Sequence, residues 1–101
     1  MKGIYMATWK NEQTDALCAA LLSLENGEEC YAFLEDICTV KEISDLAQRL
    51  AVAKMLSEGF SYNEIGAATG ASSATISRVN KCYEYGTGGY KIVIEKQLEE
   101  D

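Results

Sequence analysis

The sequence predicts an all-α fold, and three observations support that prediction. Apolar residues recur at spacings of three and four along most of the 101 residues, as they do on one face of a helix. Two capping boxes, each a Ser or Thr followed three residues later by Glu, mark helix starts. The chain has no proline and no low-complexity tract, which argues against disorder. We therefore expect a single helical domain across residues 1–101, near the size at which a partner subunit is often recruited.

The first two predicted helices span about residues 11–26 and 28–37. Four apolar residues fall on one face of the first helix: Leu17, Ala20, Leu21 and Leu24. Asn26 and Gly27 are expected to end it. The second helix opens with two acids, which suit a helix N-terminus, and carries a broad apolar stripe. We expect this second helix to be largely buried.

The third predicted helix has the clearest pattern. Thr39 and Glu42 form a capping box, and apolar residues then follow helical spacing up to Gly59. At about 1.5 Å per residue, its roughly 18 residues span about 27 Å. This length suits a scaffold that crosses the whole domain.

Three further helices are predicted in the last 40 or so residues. Ser61 and Glu64 repeat the capping box and start a short helix that ends near Gly70. The next helix begins at a Ser72 or Ser73 cap and runs to about Tyr85. Residues 90–98 have strand propensity but also helical spacing. A helix is favoured there because an isolated strand would lack a partner.

Residues 61–84 fit a helix-turn-helix. This motif requires a small residue where two short helices meet, a glycine at the turn and apolar anchors in both helices. The required residues occur in order: Ile65, Gly66, Gly70, Ile76 and Val79. The competing interpretation is a pair of ordinary short helices whose serines and alanines serve only capping and helicity.

The charge distribution leaves one region that a polyanion can approach. The net charge is −7, but the acids are concentrated at the two ends of the chain. Residues 61–81 hold Arg78 and Lys81 against Glu64, a small local excess of positive charge.

Other function classes find no support in the composition. The chain has no histidine, no nucleophile-and-base signature and no phosphate-binding glycine loop, so we do not expect an enzyme. Its four cysteines match no zinc spacing, and we expect them to be free, mostly buried thiols in a reducing cytoplasm, with no metal and no cofactor. No apolar run is long enough to span a membrane, and the first ten residues lack a secretion signal, so a cytoplasmic location is expected.

Small side chains open the second helix of the motif, and this has a physical reason if that helix binds DNA. A recognition helix enters the major groove with its backbone close to the phosphates, so bulky side chains would hold it away. Hydroxyl groups can donate to phosphates or bases, an alanine can contact a thymine methyl, and Arg78 can make a bidentate contact to guanine. The predicted DNA-contacting residues are Ser61, Ser72, Ser73, Ala74, Thr75, Ser77, Arg78 and Lys81.

Residues 28–91 resemble the Trp-repressor-like superfamily, and specifically its YerC/YecD branch from Gram-positive bacteria. The resemblance rests on "LEDICT" before the long helix, "RLAVAKMLSEG" within it and "ATISR" in the recognition helix. It implies an intertwined homodimer whose N-terminal helices, about residues 11–58, interlock. It also implies that two recognition helices, about residues 72–84, enter successive major grooves of double-stranded DNA.

The tryptophan-binding pocket of the family's namesake carries over only in part. Arg49 and Arg78 match the two arginines that sandwich the indole ring, and Thr39 matches a threonine at the start of the long helix. Val79 replaces the glycine expected after the second arginine, and Val40 replaces a proline; Asp36 and Cys38 replace two leucines. We therefore expect that tryptophan is not the corepressor, which leaves an unknown small-molecule effector open. Alternatively, Arg49 pairs with Asp45 or Glu42 on its own helix, and Arg78 binds phosphate.

Together these patterns predict a dimeric DNA-binding transcriptional regulator that acts as a repressor. The alternative is a dimeric helical protein-interaction or ligand-sensing module that has lost DNA binding. The acidic net charge and the few bases in the reading region keep that alternative open.

Overall fold

The computed structural model describes residues 8–100, and this part of the chain is all-α, with no strand. Its six helices are α1 (Glu12–Ser23), α2 (Gly27–Ile37), α3 (Val40–Ser57), α4 (Tyr62–Thr69), α5 (Ser73–Tyr85) and α6 (Gly89–Glu100). None of these helices is long and apolar enough to cross a membrane. The expectation about a secretion signal falls mainly on residues 1–7, which lie outside the described residues.

The contacts divide the chain into two compact units, the first ending at Ile37 and the second beginning at Cys38. The first contains α1 and α2, and the second contains α3 to α6. The single domain expected across residues 1–101 stays a prediction.

In the first unit, two asparagine caps set the helix boundaries. The Asn11 side chain accepts a hydrogen bond from the Thr14 N–H at 2.9 Å, and Thr14 Oγ1 accepts one from the Asn11 N–H at 2.8 Å, so they form a capping box at the start of α1. Helix α1 ends at Ser23, earlier than predicted. Asn26 does not end α1; its side chain accepts a 3.0 Å hydrogen bond from the Glu29 N–H at the start of α2.

The expectation that α2 is largely buried is wrong for the single chain. Neither α1 nor α2 contains a buried residue, and Tyr31 is 80% exposed. Phe33 and Leu34 are only half-buried. The pattern correctly places apolar side chains on the helix faces, but no part of the chain within residues 8–100 covers those faces fully.

The cysteines are free, as expected, but the expectation that they are mostly buried is wrong. Cys18, Cys30 and Cys82 are exposed, and Cys38 is half-buried. Cys18 and Cys30 lie on α1 and α2, the two helices without a buried residue.

In the second unit, α3 is the scaffold that the sequence predicts. The capping box of Thr39 and Glu42 starts it, and α4, α5 and α6 all pack against it. Val52 and Ala53 of α3 are fully buried. Residues from the other elements complete the core: Ile65, Ala71, Ile76, Val79 and Ile94.

Residues 90–98 are helical, as favoured from the sequence. Helix α6 follows a short glycine-containing segment in which Gly88 has φ +92°. Ile94 is buried in the core, and Tyr90 packs against it half-buried. One face of α6 thus packs on α3 and α5.

Candidate nucleic-acid interface

A capped helix, α4, forms the first half of the predicted helix-turn-helix. Ser61 Oγ accepts a 3.2 Å hydrogen bond from the Glu64 N–H, and Glu64 Oε1 accepts a 2.8 Å hydrogen bond from the Ser61 N–H. The bond from the Ser61 backbone holds the pKa of the Glu64 carboxyl below its ordinary value, because it favours the charged form. Ser61 is exposed, but its hydroxyl oxygen already serves as this cap.

The turn is built from Thr69, Gly70 and Ala71. Gly70 has φ +77°, a left-handed conformation that glycine adopts at little cost. Gly66 lies close beneath the turn, since a Cβ atom there would lie 3.4 Å from the Ala71 carbonyl oxygen. The Thr69 hydroxyl donates to the Ile65 carbonyl oxygen at 2.7 Å and accepts from the Ala71 N–H at 3.2 Å. A polar residue at position 69 therefore stabilises the turn locally.

One residue that holds this turn has no recognisable sequence signal. Gln48 of α3 is half-buried, and its Nε2 donates a 3.1 Å hydrogen bond to the Thr69 carbonyl oxygen. That bond connects the scaffold helix directly to the end of α4. A glutamine on a helix is ordinarily a surface residue, so only the tertiary structure assigns it this role.

Helix α5 begins after a Ser72 cap. Ser72 Oγ accepts a 3.1 Å hydrogen bond from the Thr75 N–H and donates to Thr75 Oγ1 at 3.1 Å. The Ser72 proton is therefore engaged within the chain, whereas the Thr75 hydroxyl proton stays available as a donor. Ile76 and Val79 are buried and fix the orientation of the helix.

The remaining predicted DNA contacts lie on the opposite, exposed side of α5. Ser73, Ser77 and Lys81 follow one another at spacings of four, and all three are exposed. Ala74 and Arg78 form a second exposed row beside them. The role of this exposed surface in DNA binding stays a prediction.

A polar cavity of about 300 Å³ lies between α3 and α5. Its lining residues are Lys41, Asp45, Gln48, Arg49, Thr75 and Arg78. The Lys41 ammonium pairs with the Asp45 carboxylate at 3.0 Å, and Arg49 Nε donates to the Asp45 main-chain oxygen at 3.4 Å. Arg49 therefore bonds to the backbone of Asp45, and the ion pair with the Asp45 or Glu42 carboxylate that was the alternative expectation is not formed.

Two residues predicted from the tryptophan pocket do not line this cavity. Thr39 instead caps α3, because its hydroxyl oxygen accepts a 3.1 Å hydrogen bond from the Glu42 N–H. Val79 is 3% exposed and packs in the hydrophobic core, as expected of an apolar anchor of the motif, and the crowding of a ligand by its side chain stays a prediction. A ligand at Arg49 and Arg78, and the exclusion of tryptophan, stay predictions.

A larger, mainly apolar groove of about 600 Å³ lies where α3, α5 and α6 meet. Leu50, Cys82, Tyr90 and Val93 are among its lining residues. Burial raises the pKa of the Tyr90 phenol above its ordinary value. The groove therefore offers apolar area next to the helix-turn-helix, but no charged group lines it.

The chain is similar to known proteins in both sequence and structure. The Trp repressor protein family model matches residues 12–98. The uncharacterized protein YerC of Bacillus subtilis is 48% identical over 90 residues, which are 89% of this chain and 86% of the relative.

Two solved structures are also similar to this chain. A Trp-repressor-like protein from Staphylococcus aureus has a TM-score of 0.85 and 45% identity, covering 88% of this chain and 89% of the other. A TrpR-like protein from Eubacterium eligens has a TM-score of 0.85 and 49% identity, covering 87% of this chain and 91% of the other.

Proposed function

The chain belongs to the Trp repressor protein family, and from this premise we propose that it is a homodimeric, sequence-specific DNA-binding repressor. Helix α5 is the recognition helix and enters the major groove. The family supports DNA-binding regulation as the general role. The repressor role, the dimer and the individual contacts belong to the proposal.

The division of α5 into two sides is the observation that carries the proposal. Ile76 and Val79 anchor the helix in the core, while Ser73, Ala74 and Ser77 present short side chains to solvent. Short side chains let a helix approach base edges closely, and hydroxyls supply donors and acceptors there. Arg78 and Lys81 add positive charge farther along the same helix.

The exposed apolar residues of the first unit support the dimer. Leu21 is 47% exposed, and Leu17 and Ile37 are similarly uncovered. Large apolar side chains that remain this exposed on short helices are typical of surfaces that a second subunit buries. A second copy of the chain supplies matching apolar faces, and two copies present two α5 helices to two half-sites.

Duplex binding as a function of salt tests the proposal. Fluorescence anisotropy with a pool of random duplexes should detect binding at low salt that weakens as salt rises, because phosphate contacts release counterions. Selection from the same pool should enrich two half-sites about one helical turn apart. Absence of binding at low salt would reject DNA binding and favour a helical interaction or ligand-sensing module.

A further inference from the structure

Three cationic side chains meet at the polar cavity between α3 and α5. We propose that this cavity takes a DNA backbone phosphate, so that Lys41 and Arg49 of α3 contact DNA together with Arg78 of α5. The proposal rests on the proposed function, since it assumes that α5 enters the major groove. It adds α3 to the elements that contact DNA, and it adds Lys41 to the residues that bind DNA.

The charges of the cavity favour an anion. Lys41, Arg49 and Arg78 line it against a single carboxylate, that of Asp45. Lysine and arginine carry only donors, and a phosphate oxygen accepts charge-assisted hydrogen bonds from both. The lining therefore has a surplus of positive charge and of donors, which a phosphate can use.

Lys41 can be released to a phosphate at little cost. Its ion pair with Asp45 is 3.0 Å long, but the Lys41 side chain is 83% exposed and that of Asp45 is 49% exposed. An exposed pair four residues apart on a helix contributes little stability, because water and salt screen it. Exchange of the Asp45 carboxylate for a DNA phosphate thus leaves Lys41 paired with an anion.

The position of the cavity favours DNA over other anions. Thr75 and Arg78 belong both to the cavity and to the first half of α5, the half that carries Ser73 and Ser77. A helix in the major groove is flanked by the phosphates of both strands, since the groove is about 12 Å wide. A cavity beside the first turns of α5 therefore lies where a strand passes when α5 is seated.

The salt dependence of duplex binding tests this assignment. Lys41→Gln and Arg49→Gln should each lower the slope of log K against log salt by about one. The affinity deficit relative to the unmodified chain should then grow about tenfold for each tenfold decrease in salt. Lys54→Gln is the matched control, because Lys54 is an exposed base on the same helix that lines a different cavity.

The outcomes separate this inference from the proposed function. If the unmodified chain binds no duplex at low salt, the proposed function fails and the inference fails with it. If the unmodified chain binds duplex and both Lys41→Gln and Arg49→Gln show the same salt slope as Lys54→Gln, only the inference fails. Binding of free inorganic phosphate, seen as a thermal shift that Lys41→Gln abolishes while the DNA slope is unchanged, would also overturn the inference in favour of a small-anion site. Equal melting temperatures of the variants check that folding is intact.

Discussion

Gln48 Nε2 on the scaffold helix donates a 3.1 Å hydrogen bond to the main-chain oxygen of Thr69, the last residue of α4. The bond joins positions 21 residues apart and links α3 directly to the helix-turn-helix. It fixes the end of α4, and therefore the start of the turn, relative to the helix that carries the core.

Gln48→Ala should lower the free energy of unfolding by about 0.5–1.5 kcal/mol, the usual net value of one such hydrogen bond. Urea denaturation measures the change. Gln97→Ala, at an exposed glutamine of α6, is the matched control and should lie within about 0.5 kcal/mol of the unmodified chain. Equal effects of the two substitutions would contradict a structural role for Gln48.

Gly70→Ala should destabilise the protein by about 1–2 kcal/mol, because φ +77° is costly for a residue with a Cβ atom. The loss is conformational, since the nearest atom to that Cβ would be Gln48 Nε2 at 3.9 Å. Gly70→Asn should cost less, as asparagine tolerates this conformation. The explanation would be contradicted if urea denaturation gave Gly70→Asn a lower free energy of unfolding than Gly70→Ala. Gly27→Ala, within a helix and in open space, serves as the control.

Ser73→Asp should weaken duplex binding about tenfold or more without weakening the fold. Ser73 is the first residue of α5, where an acid interacts favourably with the helix dipole. In the complex, the same carboxylate would face DNA phosphates and be repelled. Anisotropy and thermal melting measure the two effects, with Gln13→Glu in the exposed first turn of α1 as the control. Unaltered affinity would remove Ser73 from the interface.

Arg78→Ala should cost about 1–3 kcal/mol in binding to a selected duplex. The arginine is exposed, so the melting temperature of the free protein should change little. Lys96→Ala removes an exposed positive charge from α6 and controls for net charge. Affinity and base preference that match those of Lys96→Ala would reject the assigned contact.

Glu64 should make stability depend on acid pH. Its pKa is lowered in the folded state, so its contribution to stability is present above its ordinary pKa and is lost as the pH falls through the lowered value. Glu64→Gln retains an acceptor for the Ser61 N–H but cannot titrate. The difference in free energy of unfolding between the unmodified chain and Glu64→Gln should shrink as the pH falls from about 6 to about 3. A difference independent of pH would contradict this assignment.

Signals contained within a few residues predicted the fold well. The capping boxes of Thr39 with Glu42 and of Ser61 with Glu64 start α3 and α4 as expected, and Gly70 ends α4. These features depend on hydrogen bonds that close over three or four residues, so the local sequence determines them. The six helices follow from the same local patterns.

Features that depend on distant residues were not predictable in this way. The apolar stripe of α2 indicated burial, but burial requires another surface to cover the stripe, and position in the sequence does not supply one. The same reason explains the exposed cysteines. The link from Gln48 to Thr69 appears only when α3 and α4 are placed side by side.

The two sides of α5 separate two kinds of evolutionary constraint. Substitutions at Ile76 or Val79 alter the core and therefore folding, whereas Ser73, Ala74 and Ser77 make no core contact and are open to change. If α5 reads DNA as proposed, target preference can therefore drift, or be re-engineered by randomising those three positions, on an unchanged scaffold. Paralogues with different operators could then arise from such a helix without passing through unstable ancestors.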